Sequence, residues 1–303
     1  MQKKNRYIGH FFYLITFLIT LNASSQTILN IQNLKDNSKC LKVSSFFEFP
    51  KELQETSALI YTHQYFWTIN DGGNAPILYA LYNPFVDSSL IHSKKDVIAL
   101  RIELPVSNVD YEALASDSEY LYVGDFGNNL GSRKDLKIYV FKVSELLDNN
   151  VKFIDTLQFE FEDQKEFEPR RLHTFDCESM ITSGENLYLF TKNWSNMKTN
   201  VYQVSKKIKY QKAIKSATMN PNFFVTDACE FKGTLFLCGY NYLGNQFIYQ
   251  SNWKKGETVK IDLKPAQIEG ITVFRESTTG ELVCYLTSEK RKSQPAGIFK
   301  MIF

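Results

Sequence analysis

Short apolar runs, each followed by a cluster of Gly, Asn or Asp, occur along most of the chain. The pattern is most complete in the second quarter of the sequence. A short run with acidic residues (110–114) precedes an apolar run (120–123), a polar turn (124–129) and an aromatic run (136–141). Apolar runs of this length bounded by turn residues are typical of β-strands. The chain is therefore predicted to be all-β, with at most one helical turn, at residues 144–147.

The same order of elements returns five times. The five predicted first strands are residues 55–59, 110–114, 176–180, 226–229 and 268–271. A recurrence of roughly 40–65 residues is the size of one four-stranded blade of a β-propeller. We therefore predict one β-propeller domain over residues 26–303, with five blades, or six if a divergent blade escapes the alignment. A β-sandwich or a pair of β domains is the alternative fold.

The last of the five units has three predicted strands instead of four. Residues 40–49 form a further strand-like run ahead of the first unit, and we predict that they supply the missing outer strand. Such pairing would close the ring of blades and remove an open sheet edge.

Residues 1–25 have the three parts of a secretory signal peptide. A basic start (3–6) is followed by an apolar run (11–21) and by small residues (22–25) suited to cleavage. The apolar run is shorter than the ~20 residues that cross a bilayer. We therefore predict an exported protein, periplasmic or extracellular, that begins near Gln26 and has no stable membrane span. A retained N-terminal anchor is the alternative.

The charge and the cysteine content of the chain exclude some classes of protein. The chain of 303 residues has 35 Lys+Arg and 33 Asp+Glu, a formal net charge of +2, which excludes a generally basic nucleic-acid-binding protein. The lysine-rich stretch 206–215 is instead predicted to coat an outer strand. The five Cys residues include no C-x-x-C pair, and we expect mostly buried thiols that act as small apolar side chains. We expect a monomer.

Acidic residues recur at one position of the predicted first strands. The candidate metal ligands at this position are Glu112, Glu178, Asp227 and Glu269. The first unit has Ser57 there. First strands line the channel of a propeller, so we expect these carboxylates to meet at its mouth. The turns after the second strands should open on the same face. They supply the candidate ligand-binding residues Asp71, Asn74, Asp125, Asn128, Asn129, Arg133 and Asn193.

Clustered carboxylates repel one another, and three arrangements could stabilise them. The first is a divalent cation, Ca²⁺ or Mg²⁺, because such ions are bound by several oxygen ligands. The second is neutralisation by basic residues in nearby predicted loops, namely Arg133, Arg170, Arg171, Lys192 and Lys290. The third is structural, with the carboxylates accepting backbone N–H groups of neighbouring blades. The sequence leaves the three open.

The run Asp110-Tyr-Glu-Ala-Leu-Ala, followed by Gly124-Asp-Phe-Gly-Asn-Asn, resembles the SdiA-regulated and phytase-like group of exported bacterial β-propellers. Glu55-Thr-Ser-Ala-Leu and Asn70-Asp are similar to the opening motifs of that group, although Ser57 departs from its acidic position. The resemblance implies an extracytoplasmic propeller. It also implies that Ca²⁺-dependent phosphoesterase activity is found in some relatives.

These observations lead to three functional hypotheses. The first is a module that binds a small-molecule or protein ligand at one face, with a divalent cation, Ca²⁺ above all, at an acidic channel mouth. The alternative is a Ca²⁺-dependent hydrolase of phosphate esters or lactones, in which the four candidate metal ligands hold the cation and Arg133 or Lys192 binds the substrate anion. The third is a structural scaffold in an envelope complex. No nucleophile elbow, Walker loop or zinc motif is present, so no catalytic residue is assigned.

Overall fold

The computed structural model describes residues 41–148, 150–152, 155–252, 255–263, 266–277, 279–291 and 294–303. The predicted signal segment, residues 1–25, lies outside this range. Strands dominate the described chain, so the all-β prediction is confirmed. Its short helical elements are α1 (Val143–Leu147) and the 3-10 turns Lys51–Leu53, Ser88–Leu90 and Lys94–Val97. In the part described, no helix is long and apolar enough to span a membrane.

Two short strands, β1 (Leu41–Lys42) and β2 (Ser45–Glu48), come first and join sheets formed much later in the chain. The next four strands make an antiparallel sheet in sequence order. They are β3 (Ile60–Thr62), β4 (Tyr65–Ile69), β5 (Ile77–Leu81) and β6 (Ile98–Glu103).

Two further groups of four antiparallel strands share one eight-stranded sheet. The first group consists of β7 (Tyr111–Ser116), β8 (Tyr120–Asp125), β9 (Lys137–Lys142) and β10 (Asp155–Phe161). The second consists of β11 (Asp176–Ser183), β12 (Asn186–Lys192), β13 (Thr199–Ser205) and β14 (Tyr210–Met219). The two groups are joined because β10 and β14, the outermost strand of each, pair in parallel.

The remaining strands form two more sheets, each completed by a strand from the start of the described chain. One contains β15 (Phe224–Phe231), β16 (Thr234–Tyr240), β17 (Gln246–Asn252) and β18 (Lys255–Asp262), with β1 parallel to β18 at its edge. The other contains β19 (Gln267–Arg275), β20 (Leu282–Glu289) and β21 (Gly297–Ile302). Strand β2 pairs antiparallel with β21 as its fourth strand, Phe46 opposite Phe299.

Buried apolar residues join each group of four strands to the next. Trp67 of the first group and Leu121 of the second share one apolar cluster. Tyr122 and Met180 join the second group to the third in the same way, and Phe190 and Leu237 join the third to the fourth. Phe236 of β16 then packs on Phe303 with ring centroids 5.7 Å apart. Phe66 of β4 packs on Tyr285 of β20 with centroids 4.7 Å apart. The last group therefore packs against the first.

The cysteines behave as apolar side chains. Cys177, Cys238 and Cys284 are buried and Cys229 is partly buried, and all four are free thiols. The fifth, Cys40, lies outside the described residues.

Candidate functional site

A polar cavity of about 190 Å³ lies where several first strands begin and second strands end. Its walls are formed by Ser57, Asp71, Glu112, Asn129, Glu178, Lys192, Trp194, Tyr240, Gln267, Glu269, Glu289 and Arg291. Five of these side chains are acidic and two are basic. The cavity therefore carries more acidic than basic groups.

β-Bulges direct the acidic side chains of the first strands into this cavity. The ladder slips by one residue between Tyr111 and Ala113 in β7, and in the same way in β11 and β19. The extra residues are Glu112, Glu178 and Glu269. A bulge leaves its extra residue unpaired and re-aims its side chain. In all three strands this residue is a cavity-lining glutamate.

In β15 the bulge falls one position earlier than the sequence alignment assumes. The ladder slips between Val225 and Asp227, so Thr226 is the extra residue and Asp227 stays in register opposite Cys238. Asp227 does not line the cavity. Its Oδ2 accepts the backbone N–H groups of Leu59, just before β3, at 3.3 Å and of Ile271 in β19 at 2.8 Å. Asp227 thus holds neighbouring sheets together, as the structural interpretation expects.

Three carboxylates converge at one side of the cavity. Asp71, Asp110 and Glu112 each place an oxygen within 4.8 Å of the others. Ser57 Oγ donates to Glu112 Oε2 at 3.0 Å. No Lys or Arg among the described residues forms an ion pair with any of the three. We call this set the acidic triad.

Two glycines allow the backbone to approach the acidic triad closely. A Cβ on Gly127 would overlap the carboxylates of Asp110 and Glu112. A Cβ on Gly72, in the turn after β4, would overlap the carboxylate of Asp110. Any other residue at either position would push the carboxylates apart or displace the turn. The glycines of both turns therefore fix the geometry of the triad.

Burial and mutual repulsion raise the pKa of these carboxyl groups. Burial, then the charges of Asp71 and Asp176, raises the pKa of Asp110 to about 7. Burial and the nearby Glu178 raise the pKa of Glu112 well above its usual value. Burial is also the main cause of the raised pKa of Asp71. Arg133 acts against the rise at Asp110, and the Gly72 N–H and Lys192 act against the rise at Asp71, but burial and repulsion outweigh them.

Glu178 has its own counter-ion. Lys192 Nζ lies 3.0 Å from Glu178 Oε2, and both side chains are buried. Burial alone would lower the pKa of Lys192, but the charge of Glu178 holds that pKa well above its usual value, so the lysine stays protonated. The ammonium also lies 4.9 Å from the centroid of Trp194 and 5.5 Å from that of Tyr240, where the ring faces stabilise it. This pair is the neutralisation by basic residues that the sequence left open.

Glu269 lacks such a partner. Its Oε1 is buried and accepts no hydrogen bond within the described chain, and the residue is only 6% exposed. Burial raises the pKa of Glu269 to about 8, although Lys192 opposes the shift. Burial also raises the pKa of Glu289 to about 7. Glu269 therefore adds to the unpaired acidity of the cavity, whereas Glu289 has Arg291 Nε at 3.8 Å.

The predicted ligand-binding residues divide into two sets. Asp71 and Asn129 line the cavity. Asn74 does not line it, and its Nδ2 donates to Glu55 Oε2 at 2.8 Å and to the backbone carbonyl of Asp71 at 3.0 Å. Four others form internal hydrogen bonds of the turns and do not line it, namely Asp125, Asn128, Arg133 and Asn193. Of these, Arg133 pairs with Asp125 at 3.1 Å, another case of neutralisation by a basic residue.

The sequence did not single out five of the groups that build the site. They are Trp194, Tyr240, Gln267, Glu289 and Arg291, all of which line the cavity. The strand ladder gives the reason for two of them. Gln267 lies opposite Glu289, and the equivalent pair in β11 and β12 is Asp176 opposite Lys192. Gln267 and Asp176 both stand two residues before the glutamate of their strand, so comparing that position between units would have found both pairs.

A second cavity of about 410 Å³ adjoins the first and shares Trp194, Tyr240, Gln267 and Arg291 with it. Its remaining wall is largely apolar, formed by Phe224, Ala266 and the turn after β16 (residues 241–244). The acidic cavity therefore continues into a mixed one, in which apolar side chains lie beside Asn241, Gln267 and Arg291.

Comparison with known proteins names no family for this chain. No family model matches it, and no curated protein matches it. Among solved structures, a crystal structure of the mitotic checkpoint complex is similar at 10% identity and a TM-score of 0.44, over 82% of this chain and 74% of that one. An exo-beta-1,3-galactanase from Phanerochaete chrysosporium bound to beta-1,3-galactotriose is similar at 8% identity and a TM-score of 0.43. That match covers 63% of this chain and 46% of the galactanase.

Proposed function

We propose that the domain is a five-bladed β-propeller in which β2 closes the ring. The strand orders support this: five antiparallel groups of four strands follow one another, and the last takes its fourth strand from residues before the first. The apolar contacts between successive groups, and between last and first, support the closed arrangement. They favour five blades over six.

We propose that this propeller is a ligand-binding module whose acidic cavity holds a divalent cation, with Ca²⁺ as the preferred ion. One observation carries the proposal: the triad Asp71, Asp110 and Glu112 brings three carboxylate oxygens within 4.8 Å without a basic partner among the described residues. The unpartnered Oε1 of Glu269 faces the same cavity, so the described basic side chains do not satisfy every acidic group there. Oxygen donors of this kind are the ligands that Ca²⁺ takes.

Titration calorimetry with CaCl₂ at pH 8 tests this proposal. Metal binding requires deprotonated ligands, so affinity should be highest once the triad is ionised. We expect one saturable site, lost in Asp71→Asn and in Glu112→Gln. Glu103→Gln is the matched control, because Glu103 is an exposed acidic residue on β6. An absence of saturable Ca²⁺ binding by the wild-type protein would refute the proposal.

The second candidate function is a Ca²⁺-dependent hydrolase of phosphate esters or lactones. It is favoured by the position of Lys192 and Arg291, two basic side chains that line the same cavity as the triad and could bind a substrate anion. Hydrolysis of p-nitrophenyl phosphate that requires Ca²⁺ and is lost in Asp71→Asn would favour it over a pure binding role. Calcium binding without turnover would favour the binding module.

We also propose that the protein is exported. The proposal rests on the composition of residues 1–25, which combine a basic start, an apolar run and small residues. Fractionation of cells expressing the full chain, with N-terminal sequencing of the product, tests it. We expect a product outside the cytoplasm that starts near Gln26. A cytoplasmic product that retains Met1 would contradict the proposal.

A further inference from the structure

The second cavity presents apolar side chains to solvent on a turn with a well-defined conformation. Asn241 fixes this turn, since its Oδ1 accepts the N–H groups of Leu243 at 3.0 Å and Asn245 at 3.1 Å. The next two residues project outward: Tyr242 is 68% exposed and Leu243 is 81% exposed. Tyr242 is also held in place, because its hydroxyl donates to the backbone carbonyl of Trp194 at 2.9 Å. The turn is thus pre-organised to pack against an apolar group.

Two buried acceptors without donors lie close to this apolar surface. Gln267 lines both cavities and Glu269 lines the first, and neither Gln267 Oε1 nor Glu269 Oε1 accepts a hydrogen bond within the described chain. A buried acceptor left without a donor is costly, and a ligand that supplies N–H groups would remove this cost.

The charges around these acceptors favour a cationic donor. Of the two basic side chains in the cavity, Lys192 is paired with Glu178 at 3.0 Å, and Arg291 Nε lies 3.8 Å from Glu289. Glu269 is left as a carboxyl group without an ion-pair partner. Trp194 and Tyr240 line both cavities and offer aromatic surface to the body of a ligand. The Lys192 ammonium already lies 4.9 and 5.5 Å from their ring centroids.

We infer that the ligand of this binding module is a primary ammonium ion with an aromatic or branched apolar body. The body packs on Tyr242, Leu243 and Trp194 in the second cavity, and the ammonium donates to Gln267 Oε1 and Glu269 Oε1. A primary ammonium has three N–H donors and can satisfy both acceptors at once. The inference names the ligand of the proposed binding function. It uses a subsite beside the acidic triad, so the divalent cation and the amine can be tested separately.

Calorimetry with 2-phenylethylammonium chloride at pH 8 is the test, using full-length protein with and without CaCl₂. Three related probes each lack one feature: 2-phenylethanol has no charge, ethylammonium has no apolar body, and trimethyl-2-phenylethylammonium has no N–H donor. We expect saturable binding of 2-phenylethylammonium that is at least about tenfold tighter than binding of each of the three, since losing a charged hydrogen bond or a buried ring costs more than 1.4 kcal/mol.

Variants locate the subsite. Glu269→Gln, Tyr242→Ala and Leu243→Ala should each weaken binding of 2-phenylethylammonium about tenfold. Leu172→Ala is the matched control, because Leu172 is 70% exposed on another loop and does not line either cavity. Tyr242 and Leu243 make few buried contacts, so their variants should fold, and thermal unfolding checks this. Equal binding of 2-phenylethanol, or no saturable binding of the amine, overturns the inference.

The proposed cation site and the proposed amine subsite can be refuted separately. Asp71→Asn should abolish Ca²⁺ binding and leave amine binding intact. Calcium binding without amine binding would overturn this inference and leave the proposed cation site standing. Amine binding without calcium binding would refute the proposed cation site and leave this inference standing.

Discussion

At the scale of single residues, the site depends on which carboxylates have a partner. Glu178 has Lys192 and Asp227 has backbone N–H groups, whereas the triad and Glu269 have no ion-pair partner among the described residues. Two of the three arrangements left open by the sequence are therefore observed, at Glu178 and at Asp227, and the third, a divalent cation, is our proposal for the triad. Burial and repulsion raise the pKa of the triad's carboxyl groups, so binding of a cation would release protons from them.

Removing the buried lysine should destabilise the protein strongly. In Lys192→Met the carboxyl of Glu178 loses its counter-ion while remaining buried, and breaking a buried pair in this way costs about 3–5 kcal/mol. Urea unfolding at pH 8 measures the loss. The double variant Lys192→Met, Glu178→Leu should recover a large part of it, because no uncompensated charge remains. An equal loss in both variants would show that the pair is not the cause.

Gly127 should tolerate no side chain. Gly127→Ala places a methyl group against the carboxylates of Asp110 and Glu112, and overpacking of this kind typically costs about 1–3 kcal/mol. We expect the variant to lose Ca²⁺ binding measured by calorimetry. Adding Asp110→Ala should restore part of the stability, since it removes one of the two colliding groups. Stability unchanged by Gly127→Ala would contradict the close approach.

At the scale of elements, the β-bulge decides which side chains reach the cavity, and it marks the limit of prediction from sequence. Strand positions were predictable from apolar runs and turns, as the predicted 120–123 and the observed β8 (Tyr120–Asp125) show. A β-bulge shifts the strand pairing by one residue, and the types of residue in the strand do not reveal where the shift occurs. The alignment therefore grouped Asp227 with the glutamates, although Thr226 occupies the bulge of β15. Asp110 lies close to Asp71 and Glu112 because Gly72 and Gly127 leave room for its carboxylate. Such contacts between distant segments depend on the tertiary structure.

Strand β2 should be needed to protect the edge of the last sheet. Deleting residues through Glu48 leaves β21 with an unpaired edge, and exposed edges pair with other chains. We expect the shortened protein to unfold at lower temperature and to associate with rising concentration, measured by calorimetric melting and light scattering. As a control, deletion of residues 1–25 alone should leave both properties unchanged. A monomeric, equally stable product of the longer deletion would contradict closure by β2.

At the scale of the whole molecule, the acidic cavity should make stability depend on pH. Carboxyl groups with a pKa of about 7 to 8 in the folded protein, such as Asp110, Glu289 and Glu269, titrate near 4 when unfolded. The folded state therefore holds more protons than the unfolded state between these values, and stability falls as pH rises from about 4 to 8. Asp117, whose pKa is lowered to about 2 mainly by its hydrogen bonds, acts in the opposite direction, but below that window.

Melting curves recorded in EDTA should thus show a lower Tm at pH 8 than at pH 5. Ca²⁺ binds the ionised groups of the native state, so adding it should raise the Tm at pH 8 and have little effect at pH 5. Asp71→Asn should remove the Ca²⁺ response, while Glu103→Gln should keep it. A Tm that rises with pH in EDTA over this range would contradict the account of the cavity.

The most direct test of the central claim is anomalous diffraction from crystals grown at pH 8 with Mn²⁺, which takes oxygen ligands as Ca²⁺ does. We predict one strong anomalous peak bounded by the carboxylates of Asp71, Asp110 and Glu112. An excess of Ca²⁺ should displace the Mn²⁺ and remove this peak. A well-diffracting crystal with no peak at these three residues, or with a peak only elsewhere, would contradict the claim that the acidic triad is a cation site.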